Sequence, residues 1–153
     1  MICPYCGFED QEVLNTRITY KGFANWRRRK CLECGGVFTT HEFINLTYIK
    51  VIKKSGIVRI YSRARLFSGI FVAFRNIKHM DSGDAAMSAE IVTSEIEKVL
   101  IGKKINKIST HELALITAGI LAKKNYTAFI NYGSYFFAPE VFKRLLVNRG
   151  RHN

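Results

Sequence analysis

Cys3-Pro4-Tyr5-Cys6 and, after 24 intervening residues, Cys31-Leu32-Glu33-Cys34 set how the first third of this chain folds. These are the only four cysteines in 153 residues, and they come as two pairs with two residues inside each pair. Two such pairs supply the four soft thiolate ligands of a tetrahedral zinc site, Cys3, Cys6, Cys31 and Cys34. Pro4 stiffens the first pair. Gly7 and Gly35, each just past the second cysteine, let the backbone turn so that its N–H groups face sulfur. Four sulfurs close the shell and leave no position for a reactive water, so the expected ion is structural and not catalytic. The competing reading is a redox dithiol, which belongs in a βαβ setting absent from this stretch. Zinc binding of roughly 10–16 kcal/mol exceeds what so short a unit gains from its few apolar side chains, so the metal carries the fold.

Between the pairs, Glu12 to Tyr20 is β-prone, Lys21-Gly22 is the expected turn, and a second strand runs from Ala24 to Arg29. Gly35-Gly36 then leads into a third short strand at Val37-Phe38-Thr39-Thr40. Residues 1–46 form the first expected domain. Its run Trp26-Arg27-Arg28-Arg29-Lys30 leads straight into Cys31. Four consecutive cations repel one another unless an anion is near, and guanidinium forks match phosphate oxygens or a guanine edge. On a strand, Arg27 and Arg29 share one face while Arg28 and Lys30 share the other, so one face at most reads a groove. The same charges also serve to offset the net charge of about −2 on a zinc held by four thiolates. That alternative stands beside nucleic-acid contact.

From residue 48 onward the pattern changes. Tyr48-Ile49-Lys50-Val51-Ile52-Lys53, then Ser55-Gly56, then Ile57-Val58-Arg59-Ile60-Tyr61 predict a β-hairpin. Ser62 caps a first helix with Leu66, Phe67, Ile70, Phe71 and Phe74 on one face. After a break at Asp81-Ser82-Gly83-Asp84, a second helix turns Val92, Ile96, Val99 and Leu100 inward and ends with Gly102 and the basic run to Lys107. Ser109-Thr110-His111-Glu112 matches a capping box that opens a third helix with Leu113, Ile116, Ile120 and Leu121 inward. A fourth, Tyr126 to Phe137, groups Tyr126, Phe129 and Ile130 before Pro139 stops it. The basic tail, residues 140–153, is expected to be helical only at its start.

Lys and Arg number 24 against 12 acidic residues, a formal charge of +12. Residues 1–46 hold six basic and five acidic side chains, so most of the excess lies beyond the cysteine unit. Such a balance attracts phosphate polyanions, although it also keeps a protein soluble. An apolar fraction of 48% supports a packed core. No run approaches the roughly 18 apolar residues of a membrane span, and Met1-Ile2-Cys3-Pro4 lacks the features of a signal peptide, which places the chain in the cytosol. His41, His79, His111 and His152 lack metal-ligand spacing, and the absence of a Walker-type loop argues against ATP hydrolysis.

Cys3-Pro4-Tyr5-Cys6, Asn15-Thr16-Arg17, Arg27-Arg28-Arg29, Cys31-Leu32-Glu33-Cys34 and Phe38-Thr39-Thr40 closely resemble the zinc ribbon of the NrdR family, bacterial transcriptional repressors of ribonucleotide reductase genes. In that family an ATP-cone domain follows, and the hairpin and helices over residues 49–139 match its order and length. The resemblance implies an α+β chain: a zinc ribbon of short antiparallel strands, then a cone-like nucleotide-binding and oligomerisation domain with a β-hairpin cap and a four-helix bundle. It also implies one zinc ion, ATP or dATP as effector, a homo-oligomer, no enzymatic activity, and paired operator boxes in double-stranded DNA. A cytoplasmic, nucleoid-associated location follows. By position, Arg17, Arg27, Arg28 and Arg29 are the DNA-contacting candidates, with Lys30 beside them. Val51, Ile52, Lys53 and Lys54 resemble the family's nucleotide-proximal stretch, Lys53 being the leading phosphate ligand, and Arg65 keeps a cation where the family has Lys.

The chain also departs from the family pattern. Trp26 stands where a further Arg is usual, and Val37 where an Arg commonly precedes Phe-Thr-Thr. Arg59-Ile60-Tyr61-Ser62-Arg63-Ala64-Arg65 lacks the family's acidic residues, and Phe129 to Phe137 keeps its aromatic spacing without its two arginines. The rival expectation is an RNA-binding or ribosome-associated zinc ribbon whose cone survives as an oligomerisation scaffold.

Overall fold

A computed structural model of the chain describes residues 1–19 and 22–149. Two compact units divide between Asn45 and Leu46. The first is a three-stranded antiparallel sheet, β1 (Gln11–Thr19), β2 (Ala24–Cys31) and β3 (Val37–Phe43), in the order β1-β2-β3. Tyr20 and Lys21 of the expected first turn lie outside the described residues; Gly22 adopts φ +97°, which a glycine tolerates without strain. Both β2 and β3 run further than the sequence suggests, to Cys31 and Phe43, because each strand continues as long as its neighbour offers ladder partners. A bulge at Leu14 interrupts the β1–β2 register between Val13 and Asn15. Among the described residues, the buried apolar side chains of this unit are Cys3, Ala24 and Cys31. So small a core cannot hold three strands together, and two of its three members are prospective metal ligands.

In the second unit β4 (Lys50–Ile52) and β5 (Val58–Ile60) form the expected hairpin, turning at Gly56 with φ +81°. A third strand, β6 (Lys107–Ser109), joins β4 in parallel, giving the order β5-β4-β6. The sequence pattern instead predicts that the basic run to Lys107 ends a helix, which β6 corrects. Lys107-Ile108-Ser109 carries one apolar side chain and shows no period, and its partner lies far back in the chain, so nothing local marks it as a strand.

Helix α1 (Arg63–Arg75) starts at Ser62, whose hydroxyl accepts the Arg65 N–H at 3.4 Å. It buries Leu66, Ile70, Ala73 and Phe74, while Phe67 and Phe71 stack half-buried with ring centroids 6.0 Å apart. In α2 (Ser82–Gly102) the Asp81 carboxylate caps the Gly83 N–H, so the segment expected to break the helix pattern supplies the first turn of α2. Val92, Ile96 and Leu100 are buried as expected, and Val99 is half-buried. Thr93, fully buried among them, donates its hydroxyl to the Ala89 carbonyl at 2.7 Å, the usual way to satisfy a threonine inside a helix.

The capping box of α3 (Thr110–Lys124) forms: Ser109 Oγ accepts the Glu112 N–H at 3.0 Å, and Glu112 Oε2 accepts the Ser109 N–H at 2.9 Å. The inward face of α3 needs correction. Ala114, Thr117, Ala118 and Leu121 are buried, whereas Leu113, Ile116 and Ile120 are half-buried against the core. A helix that packs on both α2 and α4 (Tyr126–Phe136) approaches them closely through small side chains, and its larger ones flank the contact. In α4, capped by Asn125, Phe129 is buried, Ile130 is half-buried and Tyr126 is exposed. Helix α1 packs on α2 and α4, and α3 on α2 and α4, which closes a four-helix bundle.

The tail also needs correction. The fourth helix ends before Pro139 as expected, at Phe136, but Pro139 also opens another: α5 runs from Pro139 to Arg149, with proline at the first helical position, where its missing N–H costs nothing. Residues 150–153, with His152, lie outside the described residues. Helix α5 docks on α4 through Phe142, whose ring lies 5.6 Å from that of Phe129 and over Gly133, where a Cβ would strike it. Tyr61 and Arg63 bind the end of the hairpin to α2: Tyr61 Oη donates to Glu97 at 2.9 Å, and Arg63 pairs with Glu90 and Glu97. Among the described residues, no helix is long and apolar enough to cross a membrane.

Candidate functional site

The four cysteine sulfurs lie within 4.8 Å of one another, with Cys3 and Cys34 3.7 Å apart and Cys6 and Cys31 3.6 Å apart. A disulfide needs about 2.05 Å. Four sulfurs each about 2.3 Å from a central zinc stand about 3.8 Å from one another, close to the 3.7 and 3.6 Å of these two pairs. The two knuckles repeat one geometry. The Cys3 N–H donates to the Phe8 carbonyl at 2.8 Å and the Gly7 N–H to the Cys3 carbonyl at 2.9 Å; the Cys31 N–H donates to Gly36 at 2.9 Å and the Gly35 N–H to Cys31 at 3.1 Å. Gly7 and Gly35 hold φ of +79° and +68°, the left-handed turn each knuckle requires. The Tyr5 N–H points at Cys3 Sγ at 3.4 Å.

Ionisation of the cluster also calls for a cation. The Phe8 N–H favours a Cys6 thiolate, yet Cys34, desolvation, Cys31 and Cys3 outweigh it and push the thiol up to about 12. Desolvation opposes the Cys3 thiolate, but the Tyr5 and Cys6 N–H groups, with the Cys34 and Cys6 thiols, draw it down to about 7. Thiolates packed this closely disfavour one another's charge, and a dication among them relieves the repulsion. The donor set, its spacing and its charge all fit a structural zinc.

Directly upstream of Cys31, β2 lies at the centre of the ribbon sheet, and the register sorts the basic candidates onto two faces. One face carries the rows Arg17, Trp26, His41 and Asn15, Arg28, Thr39, followed by Glu12 and Lys30. The Arg17 guanidinium lies over the Trp26 ring, 5.5 Å from its centroid, a cation–π contact across the strand pair. Arg28 is exposed, and Lys30 faces Glu12 at 3.6 Å across an open surface. The other face carries Arg27 and Arg29, and both turn to Glu42 on β3, at 3.2 and 3.7 Å. Arg29 also donates Nε–H to Thr40 Oγ1 at 3.1 Å, and its side chain is only 15% exposed. The strand alternation was legible in the sequence; the Glu42 clamp was not, because it depends on how β3 registers against β2.

In the second unit the nucleotide candidates gather around two adjoining clefts. Val51, Lys53 and Arg65 line one of about 160 Å³, joined by Arg59, Ser62 and Thr110, with Tyr132 and Phe136 along its apolar wall. Ile52 and Lys54 line its larger neighbour, with His111 and Ala138, and Lys53, Thr110 and Phe136 border both. Sequence reasoning missed Ser62 and Thr110, which read there only as helix starts.

Residues 1–42 match the family model described as transcriptional repressor NrdR-like, N-terminal domain. A protein of Pseudarthrobacter chlorophenolicus named transcriptional repressor NrdR is 34% identical to this chain over 140 residues, covering 92% of this chain and 79% of that one. A protein of the same name from Chlamydia muridarum is 32% identical over 136 residues, covering 89% and 86%. Another from Sulfurihydrogenibium is 31% identical over 143 residues, covering 94% and 91%.

Proposed function

The chain belongs to the NrdR family of transcriptional repressors, which are regulators and not enzymes, and from that premise we propose that it represses ribonucleotide reductase genes. It does so as a cytoplasmic homo-oligomer on paired operator boxes in duplex DNA, with ATP or dATP as the effector. Residues 1–46 are the DNA-binding domain and residues 49–139 the nucleotide-binding and oligomerisation domain. The observation that supports this reading best is the ribbon face on which Arg17, Arg28 and Lys30 stand together, outside the Glu42 clamp. Zinc fixes the end of β2, so the cations of that face hold a set spacing, as base-edge and phosphate contacts both require.

Arg27 and Arg29 then serve mainly to brace the sheet, through Glu42 and Thr40. Nucleotide control works by linkage: an effector that binds one oligomer more tightly than another shifts the population, and DNA affinity shifts with it.

Fluorescence anisotropy with three labelled probes tests the reading: duplex from upstream of a ribonucleotide reductase operon, scrambled duplex and folded RNA. The operator duplex should win by about 1,000-fold or more at fixed salt. Adding ATP or dATP should change both that affinity and the sedimentation profile. Equal affinity for all three probes would overturn the operator reading, and a sedimentation profile indifferent to both nucleotides would overturn the effector role.

A further inference from the structure

Four exposed lysines, Lys50, Lys103, Lys104 and Lys107, gather where β4 and β6 begin. The parallel register sets Lys50 beside Lys107, and the Lys50 N–H donates to the Asn106 carbonyl at 2.9 Å, which holds the strands in that alignment. Paired positions share one face of a sheet, so two like charges stand side by side. Lys103 and Lys104 belong to the turn that leads from the end of α2 into β6. Among the described residues none of the four forms an ion pair, and none lines either of the two clefts described above. No Asp or Glu occurs from residue 43 to 80 or from residue 98 to 111, so no carboxylate near in sequence offsets them.

Fold stability does not ask for this arrangement. Like charges opposite one another weaken a strand pair. Lys104 holds φ +53°, its N–H donating to the Ile101 carbonyl and the Ile105 N–H to that of Leu100, a helix ending that ordinarily takes glycine at this position. Lysines near a helix C-terminus do offset its dipole, which accounts for Lys103 and Lys104 but gives Lys50 and Lys107, on the strands, no role. An ammonium is a point charge without the planar fork that reads a base edge, so a cluster of them fits phosphate oxygens and carries no sequence preference. From Lys103 to Lys107 there is no aromatic ring for an unpaired base and no exposed large apolar side chain for a lipid surface. The chain passes from the ribbon into this unit at Leu46, and Lys50 follows four residues later, so a duplex gripped by the ribbon raises the local concentration of phosphate around the cluster.

We propose that Lys50, Lys103, Lys104 and Lys107 form a second DNA contact, outside the ribbon, that grips the phosphate backbone of the operator duplex. Resting on the operator reading above, this contact adds affinity from the second unit and leaves sequence choice to the ribbon. Bound phosphates relieve the repulsion between Lys50 and Lys107, and the counterions released from the duplex make the contact sensitive to salt.

Anisotropy of the full zinc-loaded chain on operator duplex, scrambled duplex and folded RNA, from about 50 to about 200 mM salt, tests this in the nucleotide state that binds operator most tightly. Lys50→Gln/Lys107→Gln should weaken both duplexes by the same factor, about tenfold or more, and flatten the slope of log K against log salt by about two or more, one for each lost phosphate contact. Lys103→Gln/Lys104→Gln should act in the same direction. Lys123→Gln/Lys143→Gln removes the same charge from exposed positions elsewhere and should change the slope little. The Lys50→Gln/Lys107→Gln protein should keep the wild-type sedimentation profile and response to ATP, and melt no lower, since it loses a repulsive pair. Equal slopes for this protein and Lys123→Gln/Lys143→Gln, with operator preference intact in both, would overturn the second contact and leave the operator reading standing. A loss confined to the RNA probe would overturn it too. A wild-type chain that binds both duplexes alike would remove the operator reading itself, and this contact with it.

Discussion

Arg28 and Arg29 are neighbours in sequence and opposites in surroundings. Arg29 is mostly covered, tied to Glu42 and Thr40, whereas Arg28 stands exposed between Asn15 and Thr39. Arg28→Ala should therefore cost about 1–3 kcal/mol of operator affinity and leave the ribbon's thermal melt unchanged. Arg29→Ala should lower the melt, because it strips Glu42 of one partner and leaves Thr40 without its donor. Anisotropy and a zinc-loaded melt on both variants separate these effects, and a folded Arg28→Ala protein with full affinity would move the reading face elsewhere. At this scale the sequence was informative about chemistry and less so about geometry. Two cysteine pairs identify the metal site because few other uses need that spacing in a reducing setting. Period two along β2 splits the basic run. Which half is free depends on Glu42, and no local pattern connects residues 27 and 29 to residue 42.

Among the elements, α3 is the one whose start was most legible. Ser109 and Glu112 satisfy each other's N–H groups, and the Ser109 N–H followed by its hydroxyl holds the Glu112 carboxyl below its ordinary value of 4.5. A carboxyl lowered by folding stabilises fully above its unfolded pKa and loses that contribution as the pH falls through its folded pKa. The first turn of α3 should thus loosen in acid, beginning below 4.5. Hydrogen exchange of the Ser109 and Glu112 amides, followed from about pH 6 to about pH 3, should show this loss in the wild type and a flatter profile in Glu112→Gln. Identical profiles would mean that the capping box adds nothing.

Other elements were harder to read, for reasons specific to each. The inward face of α3 is built from Ala114, Thr117 and Ala118, which a search for large apolar residues passes over. Strand β6 has three residues and a distant partner. Pro139 fits a helix end and a helix start equally well, and Phe142 seated over Gly133 is what makes it a start.

Across the whole molecule, the two units are stabilised by different means. The second has a continuous core through Ile49, Ile70, Val92, Ile96, Leu100, Leu121 and Phe129, and needs no metal to hold it. The first buries Cys3, Ala24 and Cys31 and depends on zinc. Charge follows the same division: the first unit is nearly balanced, with Arg17, Arg28 and Lys30 on one face, while the second carries most of the excess and concentrates part of it in one cleft. The sequence itself carries this division, with all four cysteines in its first 34 residues and most of the basic excess beyond them. The most direct test of a zinc-organised DNA reader is operator affinity measured before chelation, after it and after zinc is restored, with helical circular dichroism recorded alongside. The account predicts one zinc per chain, loss of operator preference when it is removed, recovery when it returns, and a helical signal that barely changes throughout. Operator affinity that survives complete removal of zinc would contradict it.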